Sequence, residues 1–331
     1  MSHARQGPPA RGPFSRLPTG AIAALAVLLA VVAGVVLTLQ LGGSGQGSDA
    51  AGTAHPSPRA PTPRRHPPDT PSSTPVPSAS RGAVPHRDPF GPSAAALAAS
   101  SPGPVLAAVY DVSTGQTWTL GHGRPQDEAS IVKVDILETL LARYRTAGSA
   151  LPAAYLPTAQ EMIEYSDNDA ATTLWYAAGG PARIRSYNAA AGLHHTSPSP
   201  CVDCAGFPWP GWGLTTTTPG DQIALLRQLI KPSPLLTGDQ RRYILRLMER
   251  VTPSQRWGVS DGVPRGATVA LKNGWLPLTS TDDDWQVNSI GWVCGAGRDY
   301  LLAVLTTGNP TEQDGIDTIG RLAASIWRTM R

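Results

Sequence analysis

The stretch Ser130-Ile131-Val132-Lys133-Val134-Asp135-Ile136-Leu137-Glu138-Thr139-Leu140-Leu141 carries apolar side chains at 131, 132, 134, 136, 137, 140 and 141. That spacing predicts a helix running to about residue 144, and the crowding predicts a buried one. Ser130 and Lys133 stand three apart at its start, on one face, where hydroxyl and amine can come within hydrogen-bonding reach. The functional reading is a nucleophile beside its base. A helix start would also aim the Ser130 backbone N–H and the positive helix end at a developing oxyanion. Ser-x-x-Lys alone is equally a capping Ser followed by a surface Lys. Composition weighs against that alternative. Of 27 basic residues only Lys133, Lys231 and Lys272 are Lys, so Arg serves almost wherever a plain positive charge suffices. A lysine amine can surrender its proton when desolvated or set near another cation, whereas a guanidinium cannot.

Two later clusters extend the pattern. Tyr165-Ser166-Asp167-Asn168 falls between helical stretches, where these residue types also make an ordinary N-cap. Leu271-Lys272-Asn273-Gly274-Trp275 falls on a predicted strand, where glycine alone would mark a bulge. Two of the three lysines lie in this ordered set. Around it, a short helix at 93–99 precedes a predicted hairpin of strands 105–111 and 116–120. Helices are expected at 159–164, 169–177, 181–191, 221–229 and 238–250, strands at 268–275, 285–293 and 300–307, and a closing helix at 315–328. Strands at both chain ends with helices between them predict an α+β fold: an antiparallel sheet built from both ends and flanked by helices, an α/β sandwich with a helical lobe beside it.

The ordered motifs Ser130-x-x-Lys133, Ser166-Asp167-Asn168 and Lys272-Asn273-Gly274 resemble those of the penicillin-recognising serine hydrolases, above all the class A β-lactamases and their D-alanyl-D-alanine peptidase relatives, over roughly residues 92–330. The resemblance implies a sheet flanked by helices next to an all-helical lobe, with the active site between them. It implies that Ser130 attacks an amide carbonyl to form an acyl-enzyme, with Lys133 taking the Ser130 proton. Ser166 would pass a proton to the departing nitrogen, Asn168 would hold a substrate amide, and Lys272 would add positive potential for a substrate carboxylate and for Ser166. Gly274 would let substrate lie along the strand edge, and the backbone N–H groups of Ser130 and Trp275 would form the oxyanion hole. Asn273 stands among the substrate-binding positions where the family has a hydroxyl residue. Peptidoglycan stem peptides or β-lactams are the implied ligands, and no cofactor is called for.

This chain departs from the family pattern in ways that bear on chemistry. Asn273 replaces the hydroxyl residue and the strand at 285–293 has no Arg, which weakens the expected grip on a carboxylate. The Ser130 to Ser166 interval is short, implying a trimmed helical lobe. Class A β-lactamases place a water-activating Glu in the loop after that lobe, yet no Glu occurs between Glu164 and Glu249. Only Asp203 offers a carboxylate there, on a shorter side chain, so slow deacylation is expected. A binding or sensor module that is acylated, or merely docks wall fragments, without turnover is the alternative. In the same loop Cys201-Val-Asp-Cys204 reads as a local disulfide. A redox motif or zinc site is the weaker reading, because Cys294 is the only other Cys and no His spacing fits. Trp209 and Trp212 read as packing groups that would also cover the site. None of the seven His is assigned catalysis, and no metal site is expected.

The N-terminal quarter has another character. Residues 21–41 are apolar except for Thr38 and Gln40, long enough to span a bilayer. Arg5, Arg11 and Arg16 precede them, which orients residues 1–20 to the cytoplasm and the remainder outside. A cleaved signal peptide competes with a retained single-pass anchor; the length of the run and the lack of a clear small-residue cleavage site favour the anchor, and no Cys follows to take a lipid. Residues 42–88 are rich in Pro, Ser and Thr without Leu, Ile, Phe or Trp, a linker unable to form a core. The folded domain is thus expected over 89–331. Residues 1–88 hold eight Arg against three Asp, and 89–331 hold 19 basic against 21 acidic groups, so the folded part is not a nucleic-acid binder by charge.

Overall fold

Proline at the first turn presets the backbone for a helix, and Pro92–Ala99 forms α1. The computed structural model describes residues 87–204, 207–278 and 284–330. The expected cytoplasmic segment at 1–20, the anchor at 21–41 and nearly all of the linker at 42–88 lie outside the described residues. Among the described residues no helix is long and apolar enough to cross a membrane.

Strand β1 (Val105–Asp111) is buried along its whole length, as a central strand covered on both faces should be. Asp111 closes it by accepting the backbone N–H groups of Ser113 at 2.8 Å and Thr114 at 3.1 Å, which turns the chain into β2 (Thr117–Leu120). A short β3 (Gln126–Asp127) and a single 3₁₀ turn, Ala129–Ile131, lead into α2 (Val132–Thr146). Next come α3 (Tyr155–Glu164), α4 (Asn168–Ala178), α5 (Gly180–Ala191), the short β4 (Thr216–Thr217), α6 (Pro219–Ile230) and α7 (Gly238–Glu249). The chain then returns to the sheet as β5 (Thr268–Pro277), β6 (Trp285–Gly295) and β7 (Arg298–Asn309), and ends in α8 (Glu312–Thr329). The antiparallel sheet has the order β2-β1-β7-β6-β5, so the first and last strands in sequence meet at the β1–β7 pair.

The period-two alternation of strands divides the core. Leu106, Ala108 and Tyr110 of β1, with Ala270, Ile290, Leu301 and Ala303, face the helical lobe. Val105, Ala107 and Val109, with Leu271, Val293 and Leu302, face α1 and α8. The expected layout of sheet, flanking helices and helical lobe is therefore the observed one. Helix α2 is the lobe's axis, every residue from Val132 to Leu141 being buried. It begins two residues later than expected, because Ser130 sits in the 3₁₀ turn. Glu164 at the end of α3 is buried and accepts the Arg250 guanidinium at 2.5 and 2.6 Å, tying α3 to the end of α7.

Three carboxyl groups on or just before α2 are fully buried: Glu128, Asp135 and Glu138. Glu138 accepts the Tyr187 hydroxyl at 2.5 Å, Glu128 the Gln222 amide at 3.2 Å, and Asp135 the Thr139 hydroxyl at 3.2 Å. Burial pushes all three up, with Asp135 raised to about 7. Above the ordinary Asp value of 3.8 the unfolded chain is ionised, while the folded chain keeps the Asp135 proton until about 7. Its contribution to folding is thus full at low pH and fades as pH rises through that window. Asp135→Asn is expected to raise Tm more at about pH 8 than at about pH 5, read by thermal denaturation. Equal shifts at the two pH values would count against a protonated, buried Asp135.

Candidate active site

The 3₁₀ turn that carries Ser130 is held from the sheet. A Cβ on Gly274 of β5 would lie 2.6 Å from the Ser130 nitrogen and 2.7 Å from that of Ile131, so only glycine lets the strand approach the turn this closely. From β6, the Asn288 amide donates to the backbone oxygens of Asp127 at 2.8 Å and Glu128 at 3.0 Å, and Gln286 donates to Asn288 and to Gln126. Ala129 takes φ +50°, an unfavourable conformation for a residue with a Cβ, directly before Ser130. Asn288 and Gln286 were not anticipated as site residues. Their signal was two amides at alternate positions on one face of an otherwise apolar strand.

Ser166 is the meeting point of the two buried lysines. Its Oγ accepts from Lys133 Nζ at 3.1 Å and from Lys272 Nζ at 2.9 Å. Lys133 also donates to Ser166 O at 2.6 Å and to Asn168 Oδ1 at 2.7 Å, and Lys272 to Asn273 O at 2.9 Å. Ser166 itself has φ +60°, and Asp167 caps α4 by accepting the Ala170 N–H at 2.7 Å. Among the described residues no hydrogen bond joins Lys133 to Ser130; the three donors of an ammonium at this position are all engaged by Ser166 and Asn168. Burial lowers the Lys133 amine well below the ordinary lysine value, and the neighbouring Lys272 lowers it further while Asp167 opposes the shift. Burial lowers Lys272 to about 7. Loss of one proton from Lys133 would free a lone pair that a hydroxyl could use.

Ser130 and Asn168 line a cavity of about 300 Å³ whose other walls are largely aromatic and apolar, among them Phe207, Trp209, Trp212, Trp275 and Trp285. The Phe207, Trp209 and Trp212 rings cluster with centroids 5.6 to 6.1 Å apart. Trp212 is buried, lies 5.0 Å from Lys133 Nζ, and donates its indole N–H to Thr172 of α4 at 3.2 Å. Trp209 donates to Asp169 at 3.3 Å. Both tryptophans therefore pack and face the cavity at once. Cys201 and Cys204 are joined in a disulfide within the same loop. Asp203 is exposed and lines, with Val202 and Tyr176, an adjoining depression that shares Phe207, Pro208 and Trp209 with the Ser130 cavity, and it is not among the residues lining that cavity. The described residues that line the cavity include no carboxylate.

Two expected site residues have other surroundings. Asn273 is fully buried and turned into the protein, its amide donating to the backbone oxygens of Gln255 at 2.7 Å and Trp257 at 3.1 Å. The open space at Gly274 is filled by the Ser130 turn itself. Trp275 packs against Trp257 with ring centroids 5.9 Å apart and planes tilted by 55°, and contributes to the cavity wall. The third lysine, Lys231, donates to the Tyr110 hydroxyl and lies over its ring, a packing role outside the site.

The sequence pattern of the Beta-lactamase enzyme family matches residues 141–330. A protein named "Putative lipoprotein LppW" from Mycobacterium tuberculosis is 28% identical over 204 residues, a region covering 60% of this chain and 61% of that protein. Its counterpart in Mycobacterium bovis matches equally. Among solved structures, an ancestral Gram-negative class A β-lactamase superposes with a TM-score of 0.60 at 21% identity, covering 71% of this chain and 98% of that one. The class A β-lactamase from Mycobacterium abscessus gives 0.58 at 24% identity, covering 71% and 96%. The TLA-3 extended-spectrum β-lactamase gives 0.61 at 16%, covering 70% and 98%. At these identities the structural likeness establishes the fold. With a family pattern spanning more than half of its length, the chain belongs to the Beta-lactamase enzyme family.

Proposed function

We propose that this chain is an extracytoplasmic serine hydrolase in which Ser130 is acylated by a β-lactam or a D-alanyl-D-alanine-like amide and is released slowly. The observation that carries the reading is the convergence of two buried lysines on Ser166, with Lys133 also bonded to Asn168, which lines with Ser130 a cavity whose described lining has no carboxylate. Neutral Lys133 takes the Ser130 proton once the hydroxyl turns toward it, and the Ser130 Oγ–C bond forms as the amide C–N bond breaks. Ser166 accepts from both amines, so its own O–H is the group left to protonate the departing nitrogen, and the proton that Lys133 took passes along their hydrogen bond to restore the Ser166 hydroxyl. The backbone N–H groups of Ser130 and of Trp275, on the edge strand β5, are assigned to the oxyanion.

Release of the acyl group needs an activated water, and Asp203, the carboxylate expected in the loop, is not among the cavity's lining residues, while Glu164 is paired with Arg250. The same observation favours a second reading, an acylated sensor that does not turn over. Tethering to a membrane through residues 21–41 belongs to this proposal, and the name of the mycobacterial relatives supports a membrane-associated setting.

Residues 87–331 incubated with a fluorescent penicillin are expected to take up label that persists, and Ser130→Ala to take up none. Rapid β-lactam hydrolysis would overturn slow release, and label that survives in Ser130→Ala would overturn the assigned nucleophile. Lys133→Met is expected to slow labelling by about 100-fold or more while circular dichroism stays unchanged. The labelling rate of the wild type is expected to rise with pH, because the neutral amine is the active form. Its midpoint should fall well below the ordinary lysine value of 10.5. A rate independent of pH would remove Lys133 as the base.

A further inference from the structure

The features that would grip a carboxylate are missing from the described cavity. Its lining contains no charged side chain, and Ser130 and Asn168 are its only polar side chains apart from the tryptophan N–H groups. The Lys272 ammonium is fully buried and directed to Ser166 and the Asn273 carbonyl, and burial brings its proton loss down to about 7. Asn273 is turned into the protein. Strand β6 carries no Arg. An anion entering here would lose its hydration and gain little in return.

What the cavity offers instead is two facing apolar walls. Phe207, Pro208, Trp209 and Trp212 come from the loop, and Trp275, Leu276, Pro277 and Trp285 from the ends of β5 and β6. Phe207, Trp209 and Trp275 are each half-buried and line the cavity. The indole N–H of Trp209 is held by Asp169 and that of Trp212 by Thr172, which fixes the two rings rather than leaving them to collapse. Fixed aromatic faces around a small cavity suit a flat apolar group.

We infer that the acyl group delivered to Ser130 carries an aromatic or similarly flat apolar substituent close to its carbonyl, and that the substrate needs no carboxylate. This rests on the proposed acylation of Ser130. An aryl-substituted ester would test it simply: the Ser130 Oγ–C bond forms, the ester C–O bond breaks, the serine proton passes to Lys133, and the alkoxide-side group leaves as nitrophenolate.

The experiment compares p-nitrophenyl acetate with p-nitrophenyl phenylacetate, and benzylpenicillin with its methyl ester. Each rate is corrected for spontaneous hydrolysis, and the adduct is identified by intact mass. Phenylacetylation of Ser130 is expected to outrun acetylation by about tenfold or more, and esterifying the penicillin carboxylate to change acylation by less than about threefold, since neither term involves a charged partner. Trp209→Ala should shrink the ratio between the two nitrophenyl esters, and Trp209→Phe should largely restore it; a general loss of folded protein leaves that ratio unmoved. Equal rates for the two esters, or loss of acylation on masking the carboxylate, would overturn this inference and leave Ser130 acylation standing. No adduct from any of the four compounds would overturn the acylation itself.

Discussion

Two lysines buried around one hydroxyl, with no carboxylate among their recorded hydrogen-bond partners, set the terms for the rest of this structure. An ammonium taken out of water is costly unless it is paired or gives up its proton. Here Lys133 comes from α2, in the lobe, and Lys272 from β5, in the sheet, so the cost falls at the seam where the two halves of the domain meet. It is offset by oxygen dipoles: Ser166 contributes both its hydroxyl and its carbonyl, and Asn168 its amide oxygen. Supplying both oxygens from a single residue accompanies a backbone at φ +60° for Ser166, and the Asp167 cap on α4 anchors that corner. The strain, the cap and the low lysine basicity are three expressions of one constraint.

Much of the fold was legible because it follows from local periodicity. The seven apolar positions after Ser130 specify a helix buried all round, and the hairpin expected over 105–120 is the observed β1–β2 pair. The chemistry was legible through composition, since a chain that nearly always uses Arg had kept Lys at two of the three motifs. What could not be read depends on long-range arrivals. Ser130 sits in a 3₁₀ turn just ahead of α2, and the Lys133 amine is engaged by Ser166 and Asn168, more than 30 residues further along the chain. Asn288 reaches a backbone 160 residues earlier in the chain, a contact no local pattern reports. Asn273 was readable in principle: adjacent strand residues face opposite sides, so a Lys272 directed at Ser166 requires an Asn273 directed away from it, and the segment carrying Gln255 and Trp257 meets it there.

If Ser130 is acylated as proposed, the two half-reactions are unequally served, and the loop after the lobe accounts for this in one set of residues. Acylation asks for a base near Ser130 and a proton donor near the leaving group, roles that the proposal gives to the lysine–serine cluster. Deacylation asks for a water molecule held by a charged base. A carboxylate placed among Phe207, Trp209 and Trp212 would have its ionised form penalised by the same apolar walls, and an ordered water would find few polar partners there. Wall and base are therefore competing uses of the same surface. The loop is closed by the Cys201–Cys204 disulfide and wound so tightly that a Cβ at Gly211 would lie 2.9 Å from the Cys204 sulfur, while its tryptophans are tied to α4 through Asp169 and Thr172. That much reinforcement argues for a loop shaped to hold an apolar group against Ser130 rather than one that has merely lost a glutamate. On the proposed reading, a slow acyl-enzyme follows from the same apolar walls that would hold the ligand.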